Sequence, residues 1–453
     1  MKRPIYEMLE AAAKAQSAHM PGHKGHAPFG AADLYRLDTT ELPSTDDLYV
    51  PERGIAEAER LYAKAAGAGT TLLLHNGSTV GIHVMLQLWA REGDTVLLPR
   101  NAHLSAMNAC IIGGLRPAWM QVTRRQDGYC YLQPEDVLQA IHQHPEAKTL
   151  LLTRPDYYGG CMPLKAIIAA AHEAGIRVVV DEAHGAHLPW MEGGIQSAGV
   201  YGADAWVQSV HKTLPGLTGS AVLHLKDPED GGRALQLLRR EQTSSPSFLL
   251  MMSMDDARAW MEAEGKTRLA ATVAAANALR VRLQSTTYRE AHALWQATGM
   301  QFDPTRLVID APEGGERLAQ RLRMQGIEVE MHDPWRVVMI LTCMDSPEEI
   351  RHIGEVLARL AEEPPVHCLI MEENAPLPQQ AMTPRKAVMS ETKRVPIRQA
   401  VQEIAAVSAG LYPPGIPLVC PGERITAETA EQLAKAAPQQ RFGTEGDTIL
   451  CVK

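Results

Sequence analysis

Short apolar runs alternate with helix-like stretches between about residues 70 and 225, and this alternation limits the fold more than any other feature of the chain. Thr79–Arg91 and Leu164–Ala174 are two of the helix-like stretches. The apolar runs are Thr95–Pro99, Thr149–Thr153, Ile176–Asp181, Ala205–Ser209 and Ser220–Leu225. Strands that alternate with helices are typical of βαβ units around a parallel sheet. We therefore predict an α/β fold whose large domain contains a mainly parallel sheet.

Breakers and changes of periodicity divide the chain into four predicted segments. The start is rich in loop-forming residues, including Pro21-Gly-His-Lys-Gly25, and is typical of an arm. An Ala-rich helical connection near 256–285 leads to mixed strand-like and helical stretches, and a Pro-rich stretch follows them. The predicted segments are an N-terminal arm (1–60), a large domain (61–265), a smaller α+β domain (266–365) and a C-terminal subdomain (366–453).

Composition argues against several classes of function. With 44 basic and 53 acidic residues the net charge is −9, and aromatic residues make up only 5% of the chain. Neither a basic groove nor a row of stacking aromatics is expected, so we predict no nucleic-acid partner. No stretch reaches the ~18 apolar residues of a membrane span, so no membrane partner is expected either. The seven scattered cysteines form no C-x-x-C pair, which favours a reduced, cytoplasmic setting.

An aspartate and a lysine follow two of the predicted strands. Asp181 closes one apolar run, and Lys212 comes shortly after Ala205–Ser209. The carboxyl ends of parallel strands meet at one edge of a sheet, where open α/β sheets bind ligands. A desolvated lysine has a lowered pKa and attacks carbonyl carbons, whereas a buried aspartate needs a partner such as a protonated ring nitrogen. Together they predict a site for pyridoxal 5′-phosphate.

Residues Asn76-Gly-Ser-Thr79 precede a stretch that we expect to be an amphipathic helix. A helix N-terminus with a glycine and two hydroxyl groups binds anions, so Gly77, Ser78 and Thr79 are candidate contacts for the cofactor phosphate. Ser and Thr are equally favoured as ordinary N-caps, and the pattern alone does not separate the two interpretations. The lysine and the aspartate predicted at the same edge favour the phosphate site.

Metal binding is an alternative for the stretch around 181–187. The candidate ligands are Asp181, Glu182, His184 and His187, together with His19, His23 and His26 near the start of the chain. Their spacing matches none of the helical zinc signatures. We therefore predict no metal site.

Seven short motifs occur in the order in which one enzyme family carries them. They are His19-Met-Pro-Gly-His-Lys-Gly25, Asn76-Gly-Ser-Thr79, Pro99-Arg-Asn-Ala-His103, Asp181-Glu-Ala-His-Gly-Ala-His187, Ser209-Val-His-Lys-Thr-Leu214, Gln242-Thr-Ser-Ser-Pro-Ser247 and Tyr412-Pro-Pro-Gly-Ile-Pro417. With these motifs the chain resembles the bacterial ornithine/lysine/arginine decarboxylases, which are pyridoxal-phosphate enzymes of the aspartate-aminotransferase fold. It is similar to the short members, which lack the N-terminal receiver-like domain of the large ones.

The resemblance implies how residues of the site would hold the cofactor. Lys212 resembles the family's Schiff-base lysine, and Ser209 and His211 resemble its phosphate-side contacts. His103 would stack on the pyridine ring, and Ala183 would lie against the opposite face of the ring.

The resemblance also implies the reaction. Asp181 would keep the ring nitrogen protonated, so that the ring accepts the electron pair left behind when carbon dioxide departs. Lys212 or His184 would then protonate Cα, and the product would be a diamine or agmatine.

Three positions depart from the family's pattern. Leu104 follows His103 where lysine is usual, Asp156 stands where threonine is usual, and Tyr49 replaces a histidine. Leu104 should matter little if the position is exposed. Asp156 adds a carboxylate near the expected site, where it could change the pKa of the lysine or contact a cationic substrate.

Four carboxylates are candidates for binding the distal amine or guanidinium group of the substrate, because charge-assisted hydrogen bonds are strong. They are Asp46, Asp47, Asp156 and Glu423. We therefore expect decarboxylation of a basic amino acid, and the choice among lysine, ornithine and arginine stays open.

Two other functions also fit the lysine and the aspartate, and the sequence carries one expectation about assembly. An aminotransferase or lyase would share the lysine and the aspartate but needs an arginine for the α-carboxylate, and no motif identifies one. A non-catalytic pyridoxal-phosphate-binding protein is the other alternative. Because the family's site lies at a subunit boundary and the arm has little apolar periodicity of its own, we expect a homodimer or a multiple of it.

Overall fold

The structure is a computed structural model, and it describes residues 16–18, 22, 24, 37, 39–42, 45–125, 127–361, 376–412 and 415–453. Most of the predicted arm and the predicted domain boundary at 365 lie outside these residues. The boundary at 265 falls inside a continuous helical run from 248 to 283. The four-segment division stays a prediction.

Seven strands form the central sheet. In chain order they are β1 (Thr70–Leu74), β2 (Thr95–Pro99), β3 (Arg116–Met120), β4 (Thr149–Thr153), β5 (Arg177–Asp181), β6 (Ala205–Gln208) and β7 (Ala221–Leu225). Across the sheet the order is β1-β7-β6-β5-β4-β2-β3, with parallel pairing from β6 through β3. The apolar side chains of the inner strands are buried on both faces, as a parallel sheet covered by helices requires.

One strand runs against the others. β7 is antiparallel to both β6 and β1, so the expectation that Ser220–Leu225 belongs to the parallel set is wrong. Two parallel strands need a crossover of a dozen or more residues, usually a helix, which returns the chain to the end of the sheet at which the first strand began. The connection from β6 to β7 contains only a four-residue helix, so the chain reverses there. The expectation of a mainly parallel sheet is confirmed.

Helices cover both faces of this sheet. They are α1 (Gly54–Ala66), α2 (Gly77–Leu88), α3 (Leu104–Gly113), α4 (Pro134–Gln143), α5 (Lys165–Glu173), α6 (Val210–Thr213), α7 (Gly231–Glu241) and α8 (Phe248–Trp260). Apolar side chains of α2, α3 and α7 pack in one core, and those of α4 and α5 pack in a second core. The sheet is thus the middle layer of a three-layer α/β unit.

Helix α2 differs from the amphipathic helix that we expected. Every residue from Val80 to Leu88 is buried, because α2 packs against the sheet, α3 and α7. A helix that is buried all round is typical of a protein core. The expectation of a polar face on this helix is therefore wrong.

A smaller α+β unit follows. Its antiparallel sheet has the order β8-β9-β11-β10, formed by β8 (Arg289–Glu290), β9 (Arg306–Asp310), β10 (Met331–His332) and β11 (Arg336–Ile340). Its helices are α9 (Lys266–Leu283), α10 (Ala291–Trp295), α11 (Gly315–Met324) and α12 (Pro347–Leu360). Gln301–Asp310, a strand-like stretch of the sequence, does not form one strand, because Gln301–Phe302 pairs with Gly160–Cys161 of the large unit and β9 begins only at Arg306.

The C-terminal part has its own apolar core. Its strands are β12 (Thr392–Pro396), β13 (Ala409–Leu411), β14 (Pro417–Val419), β15 (Arg441–Phe442), β16 (Thr444–Glu445) and β17 (Thr448–Val452), and its helices are α13 (Pro384–Met389) and α14 (Ala427–Lys435). Two three-stranded sheets result, with the orders β12-β17-β16 and β14-β13-β15. Within the described residues, no helix combines the length and the apolar character that crossing a bilayer requires.

Two contacts hold these parts together around the carboxyl edge of the central sheet. Gly22 donates its N–H to the carbonyl of His211 at 2.7 Å, and its own carbonyl accepts from Thr342 Oγ1 at 2.7 Å. A Cβ on Gly22 would lie 2.6 Å from the carbonyl oxygen of Leu214, so only glycine fits there. The second contact is the buried ion pair between Arg100 and Glu423, which joins the C-terminal part to the end of β2.

Candidate active site

Lys212 and Asp181 meet at the carboxyl edge of the sheet, as their positions after two strands predict. β5 ends at Asp181, which is paired with Val207 of the parallel neighbour β6, and α6 carries Lys212 just beyond β6. Both side chains line a cavity of about 860 Å³. Burial lowers the pKa of Lys212, Asp181 partly opposes that change, and the nearby Arg306 cation lowers it further. Burial therefore favours the uncharged form of the amine, which is the nucleophilic one.

All three parts of the fold contribute to the wall of this cavity. From the large unit come Ser78, Arg100, His103, Trp119, Asp156, Tyr157, Asp181, Ala183, His184 and Lys212. From the small unit come Met300 and Met331, and from the C-terminal part come Ser408, Tyr412, Ile416, Pro417, Cys420, Phe442 and Gly443. A cavity of this volume is within the range of small-molecule sites, ~300–1,000 Å³. It is therefore large enough for a cofactor and an amino acid.

A buried chain of polar groups leads away from the lysine. The Lys212 Nζ lies 3.1 Å from His184 Nε2, and Nη2 of Arg306 lies 3.2 Å from His184 Nδ1. Burial, Lys212 and Arg306 all hold the pKa of His184 well below its ordinary value. Tyr157 packs edge-on against the His184 ring, with centroids 5.3 Å apart, and donates its hydroxyl proton to Glu330.

Sequence reasoning missed Arg306. It is the first residue of β9, fully buried, and its Nε and Nη1 atoms have no hydrogen-bond partner. Nothing in the local pattern marks it, because an arginine at the start of an apolar strand is ordinarily expected at the surface. The buried charge next to His184 is visible only in the folded protein.

The turn that carries Lys212 fits a phosphate-bearing cofactor. Ser209 Oγ, Thr213 Oγ1 and Ser220 Oγ are buried without a hydrogen-bond partner. These three residues lie behind the cavity wall, which Ser78 and Lys212 line. Buried polar groups are rarely left unpaired, so these hydroxyl groups suit a ligand that brings acceptor oxygens. The hydroxyl groups, the lysine and the aspartate suit the phosphate, the aldehyde and the ring nitrogen of pyridoxal phosphate, respectively.

Not every predicted phosphate contact is free to bind. The N–H of Gly77 donates to the carbonyl of Gly219 at 2.8 Å, so this donor is already used within the protein. Thr79 is not among the residues that line the cavity, whereas Ser78 is. His211 Nδ1 lies 2.8 Å from the Ser220 carbonyl. Of the N-terminal residues of α2, Ser78 is thus the one placed to face a ligand.

Two family models match the chain. The model described as Orn/Lys/Arg decarboxylase, major domain, matches residues 3–302, and the model described as Orn/Lys/Arg decarboxylase, C-terminal domain, matches residues 368–440. The chain belongs to the Orn/Lys/Arg decarboxylase family. The resemblance expected from the motifs is confirmed, and the enzyme class is that of an amino-acid decarboxylase.

Known proteins are similar to this chain over most of its length. The arginine decarboxylase of Bacillus subtilis (strain 168) is 31% identical over 455 residues, which is 95% of this chain and 93% of the relative. The structure of lysine decarboxylase A from Pseudomonas aeruginosa has a TM-score of 0.77 at 19% identity, covering 94% of this chain and 75% of that one. A structure of SPT with PLP has a TM-score of 0.54 at 19% identity, covering 67% and 75%. The expected aspartate-aminotransferase-like fold is confirmed.

His103 and Ala183 of this decarboxylase-family chain both line the cavity. His103 begins α3 as its N-cap, and its Nδ1 lies 2.8 Å from Ser105 Oγ. The N–H of Ala183 donates to Asp181 Oδ1 at 3.1 Å, which helps to orient the carboxylate. Burial lowers the pKa of His103, and Asp181 opposes that change. The structure thus brings both residues to the site with Lys212 and Asp181.

The structure brings only one of the four expected substrate carboxylates, Asp156, into the cavity. Asp46 accepts four backbone N–H groups, three of them at the start of α1, from Glu52, Arg53 and Ile55. Asp47 accepts the N–H of Tyr49 and lines a separate surface cleft.

The fourth carboxylate, Glu423, is fully buried and pairs with Arg100 at 2.6 and 2.8 Å. Asp46, Asp47 and Glu423 have these other partners within the chain, which does not support the substrate role that we expected of them.

The departures from the family's pattern fall in different places. Leu104 is exposed and lines the cavity, so the condition of that expectation is met, and its effect stays a prediction. Tyr49 lines the separate cleft and donates its hydroxyl proton to the carbonyl of Thr243. Asp156 is the departure that lies in the site itself.

The side chains considered as metal ligands have other partners. Glu182 accepts hydrogen bonds from Ser197 Oγ, the N–H of Ala198 and Gln208 Nε2. His187 Nε2 lies 3.2 Å from Asp303 Oδ2. Among the residues that the structure describes, no group of three ligating side chains could hold a metal ion. His19, His23 and His26 lie outside those residues.

Proposed function

We propose that the protein is a pyridoxal-phosphate-dependent decarboxylase of lysine, ornithine or arginine, with a diamine or agmatine and carbon dioxide as products. The observation that carries this proposal is the meeting of Lys212 and Asp181 in one cavity at the carboxyl edge of the sheet, in a chain of this family. The relatives named arginine decarboxylase and lysine decarboxylase support a basic amino acid as substrate.

Different residues around the cavity would hold different parts of the cofactor. Lys212 supplies the amine for covalent attachment, and the Asp181 carboxylate keeps the ring nitrogen protonated. Ser78, Ser209 and the hydroxyl groups of the Lys212 turn bind the phosphate, and His103 and Ala183 bound the two faces of the ring. When bound, pyridoxal phosphate supplies a conjugated ring that accepts the electron pair left by the departing carbon dioxide.

The residues around the substrate end favour a cation. Asp156 and Asp181 are the carboxylates among the described residues that line the cavity, and Asp181 serves the ring. Asp156 is therefore left to bind a distal amine or guanidinium group. Around it the wall is largely apolar and aromatic, which suits the methylene chain of a basic amino acid and excludes water.

A product assay tests the proposal. Purified protein with added pyridoxal phosphate is incubated with lysine, ornithine or arginine, and carbon dioxide and amine are measured. We expect equal amounts of both from at least one substrate. Release of a keto acid instead would show an aminotransferase, and no turnover of the three would refute the proposal.

Lys212→Ala is the matched variant for this assay. It should lower the turnover rate by several orders of magnitude and leave the fold intact, because the role of the lysine is chemical. Lys226→Ala, an exposed lysine at the opposite edge of the sheet, is the control and should keep wild-type activity. Borohydride should attach the cofactor to Lys212 and to no other residue, which mass spectrometry of peptides would show. Turnover by Lys212→Ala near the wild-type rate would contradict the assignment.

A further inference from the structure

The chain Arg306, His184 and Lys212 determines where the proton of the imidazole lies. An arginine side chain is always charged and has only donors, so its contact with His184 Nδ1 makes that nitrogen an acceptor. A neutral imidazole carries one proton, and that proton must then be on Nε2. Nε2 faces Lys212 Nζ at 3.1 Å, and it can donate only to an uncharged amine, because an ammonium group has no lone pair.

We propose that Arg306 is a positioning residue that keeps His184 neutral with its proton on Nε2, so that His184 donates a hydrogen bond to Lys212 and does not serve as the acid that protonates Cα. This proposal rests on the proposed function, because it assigns the proton of the decarboxylation. It chooses between Lys212 and His184, the two residues that the resemblance implied for protonating Cα.

The surroundings of His184 oppose a second proton on the ring. Besides burial, Lys212, Arg306, His103 and His211 all lower the pKa of His184, and each is cationic or neutral. Tyr157 packs against the ring, but its hydroxyl group points to Glu330. A doubly protonated ring would be a buried cation beside the charged Arg306, which is costly.

The position of Arg306 is itself built into the fold. Gly159, in the loop after β4, has φ +90°, and a Cβ on this residue would lie 2.9 Å from Arg306 Cβ. Only glycine therefore leaves room for the Arg306 side chain at this point. Asp303 lies near the guanidinium group but is engaged with Thr305 and His187. Because Nε and Nη1 have no partner, the hydrogen bond to His184 is the one that orients the group.

The proton balance assigns the acid to Lys212. When carbon dioxide has left, a C–H bond forms at Cα and an N–H bond breaks at the acid. If His184 gave up its Nε2 proton it would become an anion, because Arg306 does not pass a proton to Nδ1. The Lys212 amine, once displaced by the amino group of the substrate, takes up the proton that the substrate ammonium loses. As an ammonium group Lys212 cannot accept the hydrogen bond from His184, so that bond is absent in this state. Lys212 then gives its proton to Cα and, as a neutral amine, accepts from His184 Nε2 again.

Nitrogen NMR of the holoenzyme labelled with ¹⁵N-histidine measures the proton position directly. The spectrum of His184→Gln identifies the His184 signals by difference. We expect an unprotonated Nδ1 and a protonated Nε2 that do not titrate between about pH 6 and 9. In the wild-type protein, a proton on Nδ1 of His184, or a His184 ring that titrates in this range, would overturn the proposal.

Two arginine variants show whether Arg306 is the cause. Arg306→Met should allow the proton of His184 to occupy Nδ1, because the donor that faces this nitrogen is lost. Arg336→Met removes another fully buried arginine, on the neighbouring strand β11, and should leave the His184 signals unchanged. Equal effects of the two variants would show a general structural change and would contradict the proposal.

The kinetics of His184 variants test the assignment of the acid. His184→Gln keeps an acceptor for Arg306 and a donor for Lys212 but has no acid function. We expect kcat to fall by about tenfold, against the ~10²–10⁴-fold loss expected when a general acid is removed. His184→Leu, which lacks both groups, should lose more. A loss as large for the Gln variant as for the Leu variant would refute the proposal.

These results are separable from the proposed function. If the wild-type protein turned over none of the three basic amino acids, the proposed function would fail, whereas the NMR measurement would still locate the proton of His184.

Discussion

At the scale of single residues, Asp156 bears most directly on substrate choice. Its Oδ2 accepts the Tyr129 hydroxyl at 2.7 Å, and its Oδ1 accepts the N–H groups of Tyr158 and Gly160 at 2.9 and 2.7 Å. Burial raises the pKa of Asp156, and these hydrogen bonds oppose that change. The carboxylate is thus fixed in direction. Oδ1 uses both of its lone pairs on the two N–H groups, and Oδ2 keeps one lone pair for a cationic ligand.

Asp156→Asn should weaken the binding of basic substrates. A charge-assisted hydrogen bond contributes roughly 1.5–3 kcal/mol, so we expect KM to rise by about 10- to 100-fold and kcat to change less. Steady-state kinetics with lysine, ornithine and arginine measure both constants. Tyr129→Phe, which removes one donor but keeps the charge, is the matched control and should raise KM less. An unchanged KM for all three substrates would contradict the assignment.

At the scale of secondary-structure elements, a buried carboxyl group joins helix α1 to strand β1. Glu59 Oε1 accepts the N–H of Leu73 at 3.0 Å, and burial raises the pKa of Glu59 to about 8. The carboxyl group is therefore protonated in the folded protein at neutral pH. In the unfolded chain its pKa is near the ordinary value of about 4.3.

The unfolding free energy should therefore depend on Glu59 between about pH 4.5 and 8. In this range the folded state binds the extra proton, so the contribution of Glu59 is present at low pH and is lost as the pH rises through the folded-state pKa. Glu59→Gln cannot ionise and should be more stable than the wild type at pH 8–9 by a few kcal/mol, with little difference at pH 5. Urea unfolding at several pH values measures this. The same pH slope in both proteins would contradict the prediction.

At the scale of the whole molecule, the C-terminal part closes the cavity and depends on one buried ion pair. Arg100 donates to both carboxylate oxygens of Glu423 and to the carbonyls of Pro417 and Leu418. The N–H of Cys420 also donates to Glu423. This network holds β14 and the loop after it against the end of β2, which leads directly to His103.

Glu423→Ala should destabilise the protein by about 3–5 kcal/mol, because Arg100 is left as a buried charge without a neutralising carboxylate. The double variant Arg100→Met with Glu423→Leu should recover much of this loss, because no unpaired charge remains. Unfolding free energies from urea titration measure the difference between the variants. If the single and double variants were equally unstable, the ion pair would not explain the loss.

Assembly is the second prediction at this scale. Leu104 and Tyr412 line the cavity but are 55% and 58% exposed, and a partner subunit that covers them would complete the site. We expect a homodimer or a multiple of it by light scattering. Leu104→Glu should weaken the assembly and the activity together, whereas Val281→Glu on the exposed face of α9 should not. An active monomer at assay concentration would contradict this prediction.

The sequence by itself determined five of the seven strands of the central sheet, all except β1 and β3, and the placement of two main functional residues. Apolar runs and the residues that end them are local properties, and parallel strands bring their carboxyl ends to one edge whatever the rest of the chain does. The positions of Asp181 and Lys212 after two such runs were therefore sufficient to predict that they meet. The order of the seven motifs was sufficient for the family.

Only the tertiary structure decided the contacts between distant parts of the chain. Arg306 meets His184 across 122 residues and Arg100 meets Glu423 across 323, and no local pattern specifies such a pair. A carboxylate in a loop has the same local sequence whether it binds a substrate or the first turn of a helix, which is why Asp46 and Asp156 could not be distinguished. Docking of the small and C-terminal parts on the sheet edge determines which charged groups are buried together, and that burial sets their pKa values and their roles.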